Sequence, residues 1–308
     1  MLVAASSAPS RRAFEVTNRS GIPLRVWEVR PDTDEDAPLV LIATAPGASE
    51  DAWRPFARRA GRGWRIASWE YRGLYDETPS SQPPPSTRDH GDDLIDVVRA
   101  LDARRVVLIT WALGTVVGLE ALSRAPSLAR ALVAINGVPG RPFSRMRRLS
   151  ATGLRRVQEQ LPFHGAIVRR GAEQLRRFPR VLDAAGRVGL VAPHIDREAF
   201  LCMADGFARL DPRRYARFVE AIARTDHTET LRHLSCPSLF LAGQRDPLIP
   251  AAFSERMAQL APDARLELLP TGSHYVPVEF AEFLELCVED FLYRRAGFPW
   301  LPPHPASP

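Results

Sequence analysis

The chain has 308 residues, 45% of them hydrophobic and 25% charged, which predicts a soluble globular protein with room for one large α/β domain and an inserted subdomain. All 41 basic residues are arginine, so Schiff-base and lysine general-base chemistry are excluded. The net charge of +5 is concentrated in residues 141–232, which hold nineteen arginines against ten acidic residues; such a segment suits either a set of solvated helix faces, the favoured reading, or attraction of anionic substrates or a membrane surface, and no aromatic-interleaved basic run points to nucleic acid.

In chain order, Phe14–Val16 and Ile22–Trp27 flank the turn sequence Asn18-Arg19-Ser20-Gly21 and predict a hairpin. Pro38–Ala43 is a continuous apolar run of the length and kind found in strands buried on both faces. Asp51–Ala60 reads as a helix, Trp64–Tyr71 as the next strand, and Pro79–Pro85 as a stiff loop. Asp92–Leu101 repeats apolar residues at helical spacing, with His90 and the acidic Asp89, Asp92 and Asp93 at its start, where they suit the helix dipole. Val106–Ile109, Leu132–Ile135, Ser238–Ala242 and Leu266–Leu269 read as strands, Val116–Leu122 as a helix, and Val278–Tyr293 as one long terminal helix. Strands alternating with helices at both ends predict a doubly wound, mostly parallel α/β sheet.

Between Arg141 and Leu234 the strand signal disappears. The expected organisation is therefore a core of residues 1–140 and 233–295, an arginine-rich helical cap at 141–232 and a proline-rich tail at 296–308. Phe200, Leu201, Met203 and Phe207 read as the face of a lid helix lining an acyl pocket. Cys202, Cys236 and Cys287 are sparse and odd in number, which argues for a reducing compartment and against a disulfide framework or zinc site. Met1–Arg12 lacks the pattern of a signal peptide and no apolar run is long enough to span a membrane, so the expected location is cytoplasmic. No metal or cofactor is expected, and His164, His194, His227 and His233 match no metal-ligand spacing. Oligomeric state is not encoded in any motif.

The chemistry gathers at three places. Val106–Gly118 reads as strand, sharp turn and helix, the layout in which a nucleophile stands at a strained tip; here the tip is Ala112, whose methyl group attacks nothing. Asp246 lies just past a strand in Gly243-Gln244-Arg245-Asp246-Pro247, and His274 lies in Gly272-Ser273-His274 after the last strand. Loops beyond the carboxyl ends of parallel strands share one rim, so the three meet in space although the sequence scatters them. A carboxylate fixes the imidazole tautomer and stabilises the imidazolium, while the imidazole takes and returns a proton.

With Trp111-Ala112-Leu113-Gly114, Tyr71-Arg72-Gly73, Gly243-x-x-Asp246-Pro247 and Gly272-Ser273-His274 in this order, the chain resembles the α/β-hydrolase family with a helical cap, over roughly residues 14–295. The resemblance implies that Asp246 and His274 are the triad acid and base and that position 112 is the nucleophile position. It implies an oxyanion hole from the N–H groups of Leu113 and of Ala45 or Pro46, the latter having no N–H to give. The chain departs from the family at Ala112, at Thr110 in place of the elbow's first glycine, in Ala43–Gly47, which lacks the usual His-Gly pair, and at Glu70 in place of aspartate. An engineered Ser-to-Ala change leaves its neighbours intact, so several departures together favour natural divergence.

Loss of a triad nucleophile costs a factor on the order of 10⁶ in turnover. Thr110, Thr115, Thr44 and Ser273 lie near site elements, but none occupies the tip; a water held by His274 is the better attacking group. The expected function is hydrolysis of a small or medium apolar ester or lactone through His274–Asp246. The alternative is an inactive relative that binds a small apolar ligand or a partner.

Overall fold

In a computed structural model, residues 10–31, 37–48, 50–75, 84–140 and 195–298 are described, with Arg177, Arg180, Gly186 and Ala192 between the last two stretches. Most of the arginine-rich insert, with His164 and His194, and nearly all of the proline-rich loop and tail lie outside the described residues.

Eight strands form one sheet: β1 (Ser10–Thr17), β2 (Pro23–Arg30), β3 (Leu39–Ala43), β4 (Arg65–Trp69), β5 (Val106–Trp111), β6 (Ala129–Ile135), β7 (Ser238–Gly243) and β8 (Ala264–Leu269). Their spatial order is β1-β2-β4-β3-β5-β6-β7-β8. The expected hairpin pairs β1 with β2 antiparallel, β2 runs antiparallel to β4, and every other pairing is parallel. β3, β4, β5 and β7 are buried at every position, which is why β3 reads as an unbroken apolar run rather than an alternating one.

The core helices are α1 (Arg54–Ala60), preceded by a 3-10 turn at Glu50–Trp53, α2 (Thr87–Ala100) and α3 (Gly114–Arg124). The segment between β6 and β7 contributes α4 (Arg197–Ala208), α5 (Pro212–Arg224) and α6 (Thr228–Arg232); α7 (Ala252–Leu260), α8 (Val276–Glu279), α9 (Ala281–Phe291) and a π turn at Leu292–Ala296 follow. α2 starts before the first strongly periodic residue because Ser86 and Asp89 form a reciprocal capping box, a feature that stabilises a helix by about 1 kcal/mol. The expected single terminal helix is two helices. Phe280 leaves helical geometry at φ −131°, ψ 40°, ending α8, and its carbonyl then accepts the Leu284 N–H at 2.8 Å to start α9.

Among the described residues the insert contains no strand, but its two stems are pinned to each other. Gly140 and Asp226 form an antiparallel bridge, and His227 N donates to Pro139 O at 2.9 Å. Gly140 has φ +97°, and a Cβ there would lie 2.1 Å from Thr225 O, so only glycine lets the stems approach.

Candidate active site

The turn between β5 and α3 is strained where the sequence predicts. Ala112 has φ +53° and is 2% exposed. This region costs an L-residue roughly 1–2 kcal/mol, so the surroundings must hold it. They do: Ala112 N donates to Ile135 O at 3.0 Å, and Thr115 N donates to Ala112 O at 3.1 Å. Gly114 lets α3 press on the loop after β3, since a Cβ on it would stand 2.1 Å from Ala43 O. Thr110, in place of the elbow's first glycine, has a compensating partner. Its Cγ2 lies 2.7 Å from where a Cβ on Gly118 would stand, and its hydroxyl meets that of Thr115 at 3.0 Å.

Asp246 and His274 meet on the same rim. His274 Nδ1 and Asp246 Oδ2 are 2.8 Å apart, and each residue is 8% exposed. The other carboxylate oxygen, Oδ1, accepts the N–H groups of Leu248 at 2.7 Å and Ile249 at 2.8 Å. Asp246 therefore folds its own turn and orients the imidazole with the same carboxylate. With Nδ1 engaged as donor to Asp246, Nε2 is the ring nitrogen left to accept a proton.

The histidine loop is tied directly to the elbow. Trp111 Nε1 donates to His274 O at 3.0 Å, and the two rings are 5.8 Å apart. Its other ring partner is Trp53, edge-on at 6.0 Å. An indole N–H buried at 1% exposure needs an acceptor, and the histidine loop provides it.

Two positioning residues escaped the sequence reading. Asn136, at φ +45° just past β6, accepts Gly243 N at 2.8 Å and donates to Ser273 O at 2.9 Å and His274 O at 3.0 Å. It thus joins the acid loop to the histidine loop. An Asn-Gly pair after an apolar strand was the signal, because Asn tolerates this backbone region and carries both donor and acceptor. Glu279, 4% exposed, accepts Ser273 N at 2.9 Å and Ala192 N at 2.7 Å, and binds the Ser273 hydroxyl. No local pattern announced it, because its partners come from two other segments.

The candidate nucleophiles other than water are all engaged. Thr110 and Thr115 bond each other, Thr44 Oγ1 accepts Trp53 Nε1 at 2.8 Å, and Ser273 is held by Glu279. The two oxyanion candidates, Leu113 and Ala45, are both partly buried and flank the packed Gly114 contact. Insert helix α4 covers this edge: Phe207 Cα lies 2.8 Å from where a Cβ on Gly47 would stand, and Phe200 packs edge-on against Tyr275 at 5.0 Å. Burial and the neighbouring Tyr275 push the Tyr215 phenol up to about 12.

The other described histidines lie elsewhere. His90 is fully buried between Tyr71 and Phe218, at ring distances of 5.3 and 5.1 Å, and burial pushes it down to about 3. His227 Nε2 stands 3.5 Å from Glu120 Oε2 at the insert stem, and burial pushes that ring down to about 4. His233 is exposed. Among the described residues no cluster of three or more His, Cys, Asp and Glu has the arrangement of a metal site, and no helix is long and apolar enough to cross a membrane.

Fold and rim together define a hydrolase-type α/β scaffold. The description "Alpha/beta hydrolase family" matches residues 39–285, and the chain belongs to that family. It is 26% identical over 270 residues to a protein of Caulobacter sp. (strain K31) named "Putative carbamate hydrolase RutD", covering 88% of this chain and 96% of that one. A protein of the same name from Stutzerimonas stutzeri is 26% identical over 273 residues, with 88% and 97% covered. The fold is that of a bromoperoxidase from Bacillus anthracis, at TM-score 0.70 and 19% identity over 92% of this chain and all of the other. It is likewise that of a hydrolase from Pseudomonas aeruginosa, at TM-score 0.67 and 23% identity over 91% and 98% of the two chains.

Proposed function

We propose that the chain hydrolyses a small, largely apolar acyl compound by direct attack of water, with His274 as general base and Asp246 as its orienting carboxylate. The carrying observation is the His274–Asp246 hydrogen bond of 2.8 Å beside an elbow whose tip is alanine. Nε2 of His274 takes a proton as a water oxygen adds to the carbonyl carbon; the imidazolium then returns that proton to the leaving group as the tetrahedral species collapses. Backbone N–H groups at Leu113 and Ala45 receive the developing oxyanion in this scheme. No acyl-enzyme forms, because position 112 has no hydroxyl. The substrate class is an ester, a lactone or, following the name borne by the RutD relatives, a carbamate, with the insert helices as a cap over its apolar part.

Loss of the hydroxyl at a buried tip also supports a second reading, a binding protein on the same scaffold. Assay of p-nitrophenyl acetate and butyrate separates the two. Turnover by the chain as it stands that disappears in His274→Ala supports water attack. Turnover only in Ala112→Ser, or in no variant, overturns it in favour of binding.

A further inference from the structure

β8 is a sheet edge with no partner strand among the described residues. At one end of the β7–β8 ladder Ser238 N donates to Asp263 O at 2.8 Å, and at the other Gln244 N donates to Leu269 O at 2.9 Å. The odd-numbered residues of β8 therefore turn their backbone groups toward β7, and Ala264, Leu266 and Leu268 turn theirs outward. All three are half-buried, on a strand with no bulge in its pairing with β7 and no proline. Such an edge is a template for another strand.

The side chains of the odd-numbered residues lie on the α9 side of the sheet. Arg265 Nη1 bonds Asp290 of α9 at 2.7 Å, and Arg265 Nε bonds Glu267 at 2.7 Å. The α9 face that carries Asp290 also carries Phe283 and Leu286, seven and four residues before it, and Tyr293 follows three residues after it in the π turn. These are 44%, 53% and 49% exposed, and they are three of the four large apolar side chains exposed among the described residues. An apolar stripe thus adjoins an open strand edge.

We propose that this surface pairs with the same surface of a second copy of the chain. Charge complementarity points to a second copy as the partner. An antiparallel pairing about a two-fold axis through Leu266 sets Leu266 opposite Leu266 and Ala264 opposite Leu268, each pair exchanging backbone hydrogen bonds. Arg265 of each copy then faces Glu267 of the other, in the non-hydrogen-bonded position where cross-strand side chains come closest. One charge of each sign, two residues apart, is complementary to itself only in this register and direction. The two-fold axis stands perpendicular to the sheet, so both apolar stripes lie on the same face and flank the joint.

Light scattering and sedimentation of the full chain test this, with Arg265→Glu, Glu267→Arg and their equimolar mixture. Wild type is expected at twice the chain mass at micromolar concentration. Each variant alone sets like charges opposite one another and is expected at the single mass. The mixture restores opposite charges and is expected to return to twice the mass with both variants present. A single-mass wild type, single variants that remain dimeric, or a mixture that fails to recombine overturns the proposal. Hydrogen exchange in wild type needs no substitution: the Ala264, Leu266 and Leu268 amides are expected to be protected and to lose protection on dilution. Fast exchange at all three at high concentration also overturns it.

Discussion

Among the described residues, two buried histidines stand within 3.5 Å of a carboxylate, and the two pairs differ in geometry and setting. His274 and Asp246 are in contact at 2.8 Å, and the carboxylate is itself fixed by two backbone N–H groups. His227 and Glu120 stand 3.5 Å apart, and burial pushes the imidazole down to about 4. The first pair lies at the strand ends beside the elbow. The second lies where the insert rejoins the core, its Nδ1 facing Thr230 at 3.3 Å. An imidazole near a carboxylate becomes an acid–base device when the carboxylate is preorganised and a ring nitrogen is left for a reactant. Otherwise it is a buried polar group that the fold tolerates at a cost.

The largest test restores the missing group. Ala112→Ser places a hydroxyl at the strained tip and is expected to raise p-nitrophenyl butyrate turnover by a factor on the order of 10⁴ or more, with a burst that reports an acyl-enzyme. Next come the members of the rim pair. His274→Ala and Asp246→Asn are expected to cut the wild-type reaction by factors on the order of 10²–10⁴. Glu120→Gln is expected to leave turnover within about twofold, since nothing at the stem touches the reacting atoms. A similar loss from both pairs would erase the distinction drawn between them.

The remaining tests read stability. Folded His227 stays neutral until about pH 4, whereas the unfolded ring protonates near its ordinary 6.5. The unfolded chain therefore binds the extra proton between those values, and stability falls as pH drops through that window, by up to about 3 kcal/mol from this residue. Glu120, raised by burial, opposes the trend because its folded carboxyl is protonated first in acid. Urea titrations at pH 7.5 and 5 are expected to show the loss, and His227→Gln to reduce it. The smallest effect is at His90, whose two ring nitrogens have no hydrogen-bond partner between Tyr71 and Phe218. His90→Phe removes that unmet polarity and is expected to stabilise by about 1 kcal/mol, or roughly 2–4 °C in a thermal melt.

Sequence alone determined what depends on local pattern. Apolar runs such as Pro38–Ala43 and Val106–Ile109 have the length and composition of strands buried on both faces, and a strand-turn-helix boundary at Ala112 is legible because glycine and small residues are needed there. The order of Asp246 and His274 just past strands also predicted their meeting, since parallel strands deliver their following loops to one rim. Tertiary structure alone decided what depends on partners far apart in the chain. It gave Asn136 and Glu279 their positioning roles, seated Trp111 on Trp53 and His274, and split the terminal helix at Phe280. Hydrogen bonding and close packing depend on distances between residues from dozens to more than a hundred positions apart, and a residue's own neighbours in sequence carry little record of them.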